Sequence, residues 1–134
     1  MRAVLDPNVL ISGLLGPTGA SARLLVRWLA GDFELIVSEH LLAELARALA
    51  YPRLRSRITP DEARSFVQIL NQSATTWPDS RGGSKQSRDP GDDYLLALAA
   101  SSAAILVSGD KDLLVLAPGL PICSPSEFLS RLGD

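Results

Sequence analysis

The stretch Arg2-Ala3-Val4-Leu5-Asp6-Pro7-Asn8-Val9-Leu10-Ile11-Ser12 opens with an apolar run that stops on an aspartate. Arg2 to Leu5 reads as a short buried β-strand, and Asp6 stands at its carboxyl end, where an α/β fold presents side chains to its cleft. Phe33 to Val37 and Ala104 to Val107 are two further short β-rich runs. Helical apolar spacing lies between them: Leu24, Leu25, Trp28 and Leu29 within Ala20 to Ala30; Leu41, Leu42, Leu45 and Leu49 within Glu39 to Ala50; and the segment Asp92 to Ala103. Strands interleaved with helices predict an α/β fold, a mostly parallel sheet covered on both faces, with its active site at the carboxyl ends of the strands.

The chain has 134 residues, 46% hydrophobic and 21% charged. That length and composition predict one globular domain, residues 1–134, and exclude a disordered or collagen-like chain. The longest apolar run, Tyr94 to Ala100, is far short of the roughly 20 residues that a bilayer span needs. Met1-Arg2-Ala3 leads directly into Asp6 without a signal-peptide core, so a cytoplasmic protein without membrane contact is expected. With one cysteine, Cys123, and one histidine, His40, the chain lacks the ligands of a disulfide framework or a structural zinc site. Ser-His-Asp chemistry would have to run through His40, whose surroundings Ser38-Glu39-His40-Leu41-Leu42 show no nucleophile signature. The net charge of -2 removes a uniformly basic nucleic-acid coat. It leaves room for an enzyme whose phosphodiester substrate meets metal ions rather than lysines.

Three helix starts are legible. Thr59-Pro60-Asp61-Glu62 and Ser124-Pro125-Ser126-Glu127 each place a hydroxyl at the N-cap, proline at the first helical position and glutamate at the third, predicting helices over 60–72 and 125–132. Asp89-Pro90-Gly91-Asp92 repeats the pattern with carboxylates. Pro78 to Arg88 has no large apolar residue and reads as a loop within the domain.

Seven acids fall where a strand ends or where a helix begins or exposes one face: Asp6, Glu44, Asp89, Asp92, Asp93, Asp110 and Asp112. Asp110 follows Ile105-Leu106-Val107-Ser108-Gly109, so it emerges from a strand end as Asp6 does. If the two strands are neighbours, about 4.8 Å apart, their carboxylates converge. Glu44, three residues after Leu41 and four before Ala48, borders the buried stripe of its helix. Each acid also has an ordinary structural role available. Asp89 suits an N-cap, Asp92 and Asp93 suit the positive end of a helix, Asp112 suits a cap of the Leu113-Leu114 turn, and Glu44 suits a solvated helix face. Gathered in one cleft, however, three or four carboxylates repel one another unless a cation neutralises them. An all-oxygen donor set suits hard Mg2+ or Mn2+. Such a site performs in-line phosphodiester hydrolysis.

These residues resemble a known family. Asp6-Pro7-Asn8-Val9-Leu10-Ile11-Ser12 is similar to the Asp-Thr-Asn-Val-Leu-Ile-Ser opening of PIN-domain ribonucleases, and Glu44 within Leu41-Leu42-Ala43-Glu44-Leu45 resembles their helix glutamate. Asp89-Pro90-Gly91-Asp92-Asp93-Tyr94-Leu95-Leu96-Ala97-Leu98-Ala99 and Val107-Ser108-Gly109-Asp110-Lys111-Asp112-Leu113 resemble their carboxyl-terminal acidic blocks. The likeness runs nearly end to end, with the VapC-like toxins of toxin–antitoxin pairs as the nearest group.

The resemblance implies a three-layer α/β/α sandwich and a Mg2+- or Mn2+-dependent endoribonuclease acting on RNA. It also implies a cognate antitoxin that blocks the cleft, and a homodimer. Asp6, Glu44, Asp93 and Asp110 would then be the catalytic, metal-binding quartet, supplemented by Asp92 or Asp112, while Asn8, Ser12 and Ser108 would orient the carboxylates by hydrogen bonds. Pro7 departs from the pattern, because the family usually has threonine there.

Eleven of the 13 basic residues are arginine, and Arg47, Arg53, Arg55, Arg57 and Arg64 cluster in and after the second long helix. Arginine forks onto phosphate, so Arg47, Arg53, Arg55 and Arg57 are candidates for contact with RNA or with an acidic antitoxin tail. Trp28 falls in an apolar stripe and reads as core. A response-regulator receiver would need an acid pair after its first strand, whereas the pair here is Asp92-Asp93, and a haloacid-dehalogenase-type phosphatase would need Asp-x-Asp, whereas position 8 is Asn8. The remaining alternative is a catalytically weak PIN-like module that binds RNA or a protein partner.

Overall fold

The structure is a computed structural model that describes residues 1–79, 93–117 and 119–133. In chain order it comprises β1 (Arg2–Leu5), α1 (Pro7–Leu15), α2 (Ala20–Leu29), β2 (Glu34–Val37), α3 (Glu39–Leu49), α4 (Pro52–Arg55), α5 (Pro60–Ser73), β3 (Thr75–Thr76), α6 (Asp93–Ser102), β4 (Ile105–Val107), α7 (Lys111–Leu114), β5 (Ile122–Cys123) and α8 (Pro125–Arg131). The five strands form one sheet in the order β3-β2-β1-β4-β5, and every pairing is parallel. A parallel pair needs a crossover, and right-handed crossovers fix which face each helix covers. The chain moves one way along the sheet from β1 through β2 to β3, then jumps back across β1 to β4 and β5, so the intervening helices fall on opposite faces. The result is the α/β/α sandwich expected from the sequence.

Burial of the centres and carboxyl ends of β1, β2 and β4 explains their apolar runs. Val4, Leu5, Ile36, Val37, Leu106 and Val107 have no solvent exposure. Against one face α1 packs on α2 and α3, α2 on α8, and α3 on α5, while α6 packs on β1 and β4. Phe33 meets Phe128 edge to face, and Trp28 is buried in the same apolar cluster, as its place in the α2 stripe predicts. Both expected capping boxes form, at Thr59/Glu62 and Ser124/Glu127.

Five elements depart from the sequence reading or go beyond it. α1 begins immediately after Asp6, over residues to which the sequence reading assigns no element; Pro7 at its first turn is the residue that makes a helix start there favourable. α4 is a single turn, and β3 and β5 are two residues each, too short to show a period. Asp110, and not Asp112, is the N-cap of α7. Asp89, Asp92 and most of the loop expected over Pro78 to Arg88 lie outside the described residues.

Candidate active site

The strand order reverses between β1 and β4, and such a switch point opens a crevice at the carboxyl ends of the two strands. β1 and β4 are paired with Leu5 opposite Val107, so the next residues, Asp6 and Ser108, emerge side by side. Asp6 donates its backbone N–H to the Val107 carbonyl at 3.0 Å, which extends the ladder by one bond and holds Asp6 at the crevice. Its side chain then caps α1, accepting the Asn8 backbone N–H at 2.9 Å on Oδ1. The other oxygen, Oδ2, accepts the Ser108 hydroxyl at 2.8 Å. Ser108 Oγ in turn accepts the Asp110 backbone N–H at 3.0 Å, and Asp110 Oδ1 accepts the Asp112 N–H at 2.9 Å as the cap of α7. Two strand ends thus deliver two carboxylates, linked through one serine.

Asp6 is 5% exposed and Ser108 is fully buried. Burial pushes the Asp6 carboxyl above the usual aspartate range; the hydrogen bonds from Asn8 and Ser108 pull it down, and the negative charge of Asp110 pushes it up again. Asp110 is half-buried and Asp112 likewise.

The other half of the edge is built by α3 and α6. Ser38, fully buried at the end of β2, caps α3 through the Leu41 N–H at 3.2 Å, and Asp79 accepts the His40 N–H at 2.9 Å. Glu44, two turns along, is half-buried at the border of the apolar stripe; it pairs with Arg47, and His40 Nε2 lies 3.8 Å from its Oε1. His40 stacks on Tyr94 with ring centroids 3.8 Å apart and planes 13° from parallel. Tyr94 follows Asp93 in the first turn of α6, so the stack brings the helix that bears Glu44 against the helix that bears Asp93. Among the described residues no three acidic, histidine or cysteine side chains are grouped closely enough to hold a metal ion. The assembled pair is Asp6 and Asp110.

A groove of about 490 Å3 runs from this edge between α1 and α4. Asn8, Ile11, Ser12 and Leu15, one face of α1, form one wall; Ala48, Tyr51, Arg53, Leu54 and Arg57 form the other. Asn8 contacts Asp6 through its backbone, while the exposed side chains of Asn8 and Ser12 belong to the groove. The arginines divide. Arg47 pairs with Glu44 and Arg64 with Asp61, Arg53 and Arg57 line the groove, and Arg55 is exposed outside it.

Residues 2–112 match the family model described as PIN domain. The chain belongs to the PIN domain family. This PIN domain is 26% identical over 116 residues, 87% of its length and 75% of the relative's, to the uncharacterized protein MJ1680 of Methanocaldococcus jannaschii. In fold it is similar to PAE2754 from Pyrobaculum aerophilum, with a TM-score of 0.68, 18% identity and coverage of 99% of this chain and 96% of that one. It is also similar to VapBC2 from Rickettsia felis, solved bound to a DNA fragment from their promoter, with a TM-score of 0.62, 16% identity and coverage of 92% and 98%.

The described parts of the PIN-domain blocks therefore sit on the elements that form one edge; residues 89–92 lie outside the described residues. The departure at Pro7 is accommodated locally, because the first position of α1 needs no N–H donor. Two groups were missed from sequence. The i, i+4 spacing of His40 and Glu44, and the position of Tyr94 next to Asp93, were the available signals. The donor chemistry of Asp6 and Asp110 fits a hard divalent cation: two oxygen-only side chains, one deeply buried and with its proton affinity raised by burial and by the other's charge.

Proposed function

We propose that this PIN domain is a Mg2+- or Mn2+-dependent endoribonuclease, the toxin of a toxin–antitoxin pair, acting in the cytoplasm as a homodimer. The observation that carries the reading is the Asp6–Ser108–Asp110 assembly at the switch point of the sheet. Asp6 and Asp110 would hold the cation, with Glu44 and Asp93 presented from α3 and α6 on the same edge, Asp112 in the first turn of α7, and Asp92 beside Asp93 in sequence. A divalent ion held by these residues would supply Lewis acidity, activating water and offsetting charge on the phosphate.

The chain's own part is orientation and binding. The Asn8 N–H and the Ser108 hydroxyl fix both oxygens of Asp6, and the two α-helix caps fix the directions of Asp6 and Asp110. Arg53 and Arg57 in the groove, beside the polar side chains of Asn8 and Ser12 and the ring of Tyr51, suit a phosphate-bearing strand entering along α1 toward Asp6. Arg47 lies next to Glu44, and Arg55 is exposed one turn away from that path. An antitoxin partner is supported by the family and by the fold shared with VapBC2. The alternative is a catalytically weak binding module, since Pro7 suits this helix start but brings no hydroxyl to position a carboxylate or phosphate.

The test is incubation of purified protein with single-stranded and structured RNAs in Mg2+, Mn2+ or EDTA, beside Asp6→Asn and Asp110→Asn. Cleavage present with either ion and lost in EDTA and in both variants is expected. Cleavage that persists in EDTA and in both variants would overturn the reading.

A further inference from the structure

The acids at this edge come from four separate elements; Asp6 and Asp110 are linked through the Ser108 hydroxyl, and Asp110 caps the Asp112 N–H. Glu44 and Asp93 approach from α3 and α6, on opposite sides of the β1 end, and some contact must set how close the two helix ends lie. The structure contains one between the residues flanking these acids. His40, one turn before Glu44, lies flat on Tyr94, the residue after Asp93, at 3.8 Å and 13°. The His40 end is itself fixed: its backbone N–H is held by Asp79, and the helix start is capped by the buried Ser38. The Tyr94 end is anchored by its neighbour Leu95, which is 1% exposed in the core. Two planar rings between two anchored helix starts define a distance in a way that flexible aliphatic side chains do not.

We infer that the His40–Tyr94 stack is a positioning device that holds Glu44 on α3 and Asp93 on α6 at working separation. The inference deepens the proposed metal-dependent reading and rests on it for its consequence, while the geometry it asserts exists without any ion. Neither residue is assigned a chemical step; both act through the acids beside them.

The test has a part that needs no metal. In EDTA, if the stack holds the two like charges close, Glu44→Gln and Asp93→Asn are non-additive in thermal or urea unfolding. We expect that coupling in the wild-type background, its retention in Tyr94→Phe, which keeps the ring, and its loss in Tyr94→Leu, which keeps bulk without stacking. Titration calorimetry with Mn2+ alone is the second part. Tyr94→Leu and His40→Ala are expected to bind on the order of 10–100-fold more weakly, as for other residues that orient metal ligands, with Tyr94→Phe close to wild type. Additive effects of Glu44→Gln and Asp93→Asn in the wild-type background would overturn the inference, as would coupling unchanged in Tyr94→Leu. If coupling behaves as expected but wild-type protein binds no Mn2+, the positioning role stands and the metal-dependent reading fails.

Discussion

Ser108 donates a 2.8 Å hydrogen bond to Asp6, a residue 102 positions away in the chain. The bond exists because β4 returns beside β1, in the register Leu5 to Val107, after the chain has built the other side of the sheet. Ser108 Oγ also accepts the Asp110 N–H, so one buried hydroxyl aligns one acid by its carboxylate and the other by its backbone. The side chain is small enough to sit at a fully buried strand end and polar enough to satisfy both partners.

Ser108→Ala leaves the Asp110 N–H and one oxygen of a nearly buried carboxylate without this partner. A hydrogen bond to a charged group is worth about 1.5–3 kcal/mol, and a loss of that size in urea unfolding is expected. Ser108→Thr, which keeps the hydroxyl, is expected to recover alignment at the expense of packing. An alanine variant as stable as wild type would mean that water replaces the serine without loss.

Asp6→Asn is expected to stabilise the metal-free protein. Folding raises the Asp6 carboxyl above its ordinary value, so the folded state holds that proton more tightly than the unfolded chain. The contribution to stability is fully present below the unfolded aspartate range and is lost as pH rises through the raised folded value. In EDTA, at pH above the raised folded value, wild type therefore carries the penalty, and the amide variant should melt higher, with the difference shrinking as the pH is lowered into the unfolded aspartate range. A hundredfold excess of Mn2+ over its dissociation constant would add about 2.7 kcal/mol to wild type and little to the variant. Equal melting of the two proteins at pH 7 in EDTA would show that the Asn8 and Ser108 hydrogen bonds offset the burial.

Burial explains which parts of this molecule are legible in its sequence. β1, β2 and β4 are buried beyond their first residues, so each left an apolar run; Asp6 and Asp110 follow two of those runs, and neighbouring strands brought them together. β3 and β5 have two residues each and left no period, and Val9-Leu10-Ile11 masked α1 because its buried face happens to be contiguous in sequence. The role of Asn8 was misplaced for a different reason. Spacing identifies a residue near a carboxylate but does not separate a backbone donor from a side-chain one. The His40–Tyr94 contact joins positions 40 and 94, and no local pattern encodes a pairing of that range.

The capping boxes titrate with the opposite sign to Asp6. Hydrogen bonds with Thr59 hold the Glu62 carboxyl below the usual glutamate range, and those with Ser124 do the same for Glu127. Their stabilisation is present above the ordinary glutamate value and is lost as pH falls through the lowered folded values. Glu62→Gln and Glu127→Gln should therefore flatten the acid limb of a stability–pH curve by lowering the curve near pH 7 and leaving it little changed near pH 3, where glutamine and protonated glutamate fill the third position of a capping box alike. Circular dichroism melts from pH 3 to 7 measure this, and an unchanged acid limb would assign acid unfolding elsewhere.

Ala103 ends α6 with φ of 55°, in the left-handed region, where its Cβ is crowded and glycine is not. The helix closes there through the Ala104 N–H to the Ala99 carbonyl at 2.9 Å. Ala103 is exposed, so no packing is lost on removing the methyl group. Ala103→Gly should stabilise by about 0.5–1 kcal/mol after the greater unfolded-state freedom of glycine is subtracted. A destabilised glycine variant would show that unfolded-state entropy outweighs the relief of strain.

Gly13→Ala sets two effects against each other. Gly13 is inside α1, where alanine is favoured by about 1 kcal/mol on propensity. A Cβ there would lie 2.7 Å from Leu25 Cδ1 and 3.0 Å from the Ser21 carbonyl oxygen, both on α2. Leu25 is able to rotate away, but the Ser21 carbonyl is helix backbone and yields only if α2 moves. Overpacking of this kind costs about 1–3 kcal/mol, so a net loss on the order of 1 kcal/mol is expected. Because α1 begins after its cap Asp6, the displacement should also disturb that carboxylate, and under the proposed function cleavage should fall further than the stability change alone accounts for. Urea unfolding and cleavage assays on the same preparation separate the two effects. A variant more stable than wild type would mean that α1 and α2 part easily and that their close approach does not fix the position of Asp6.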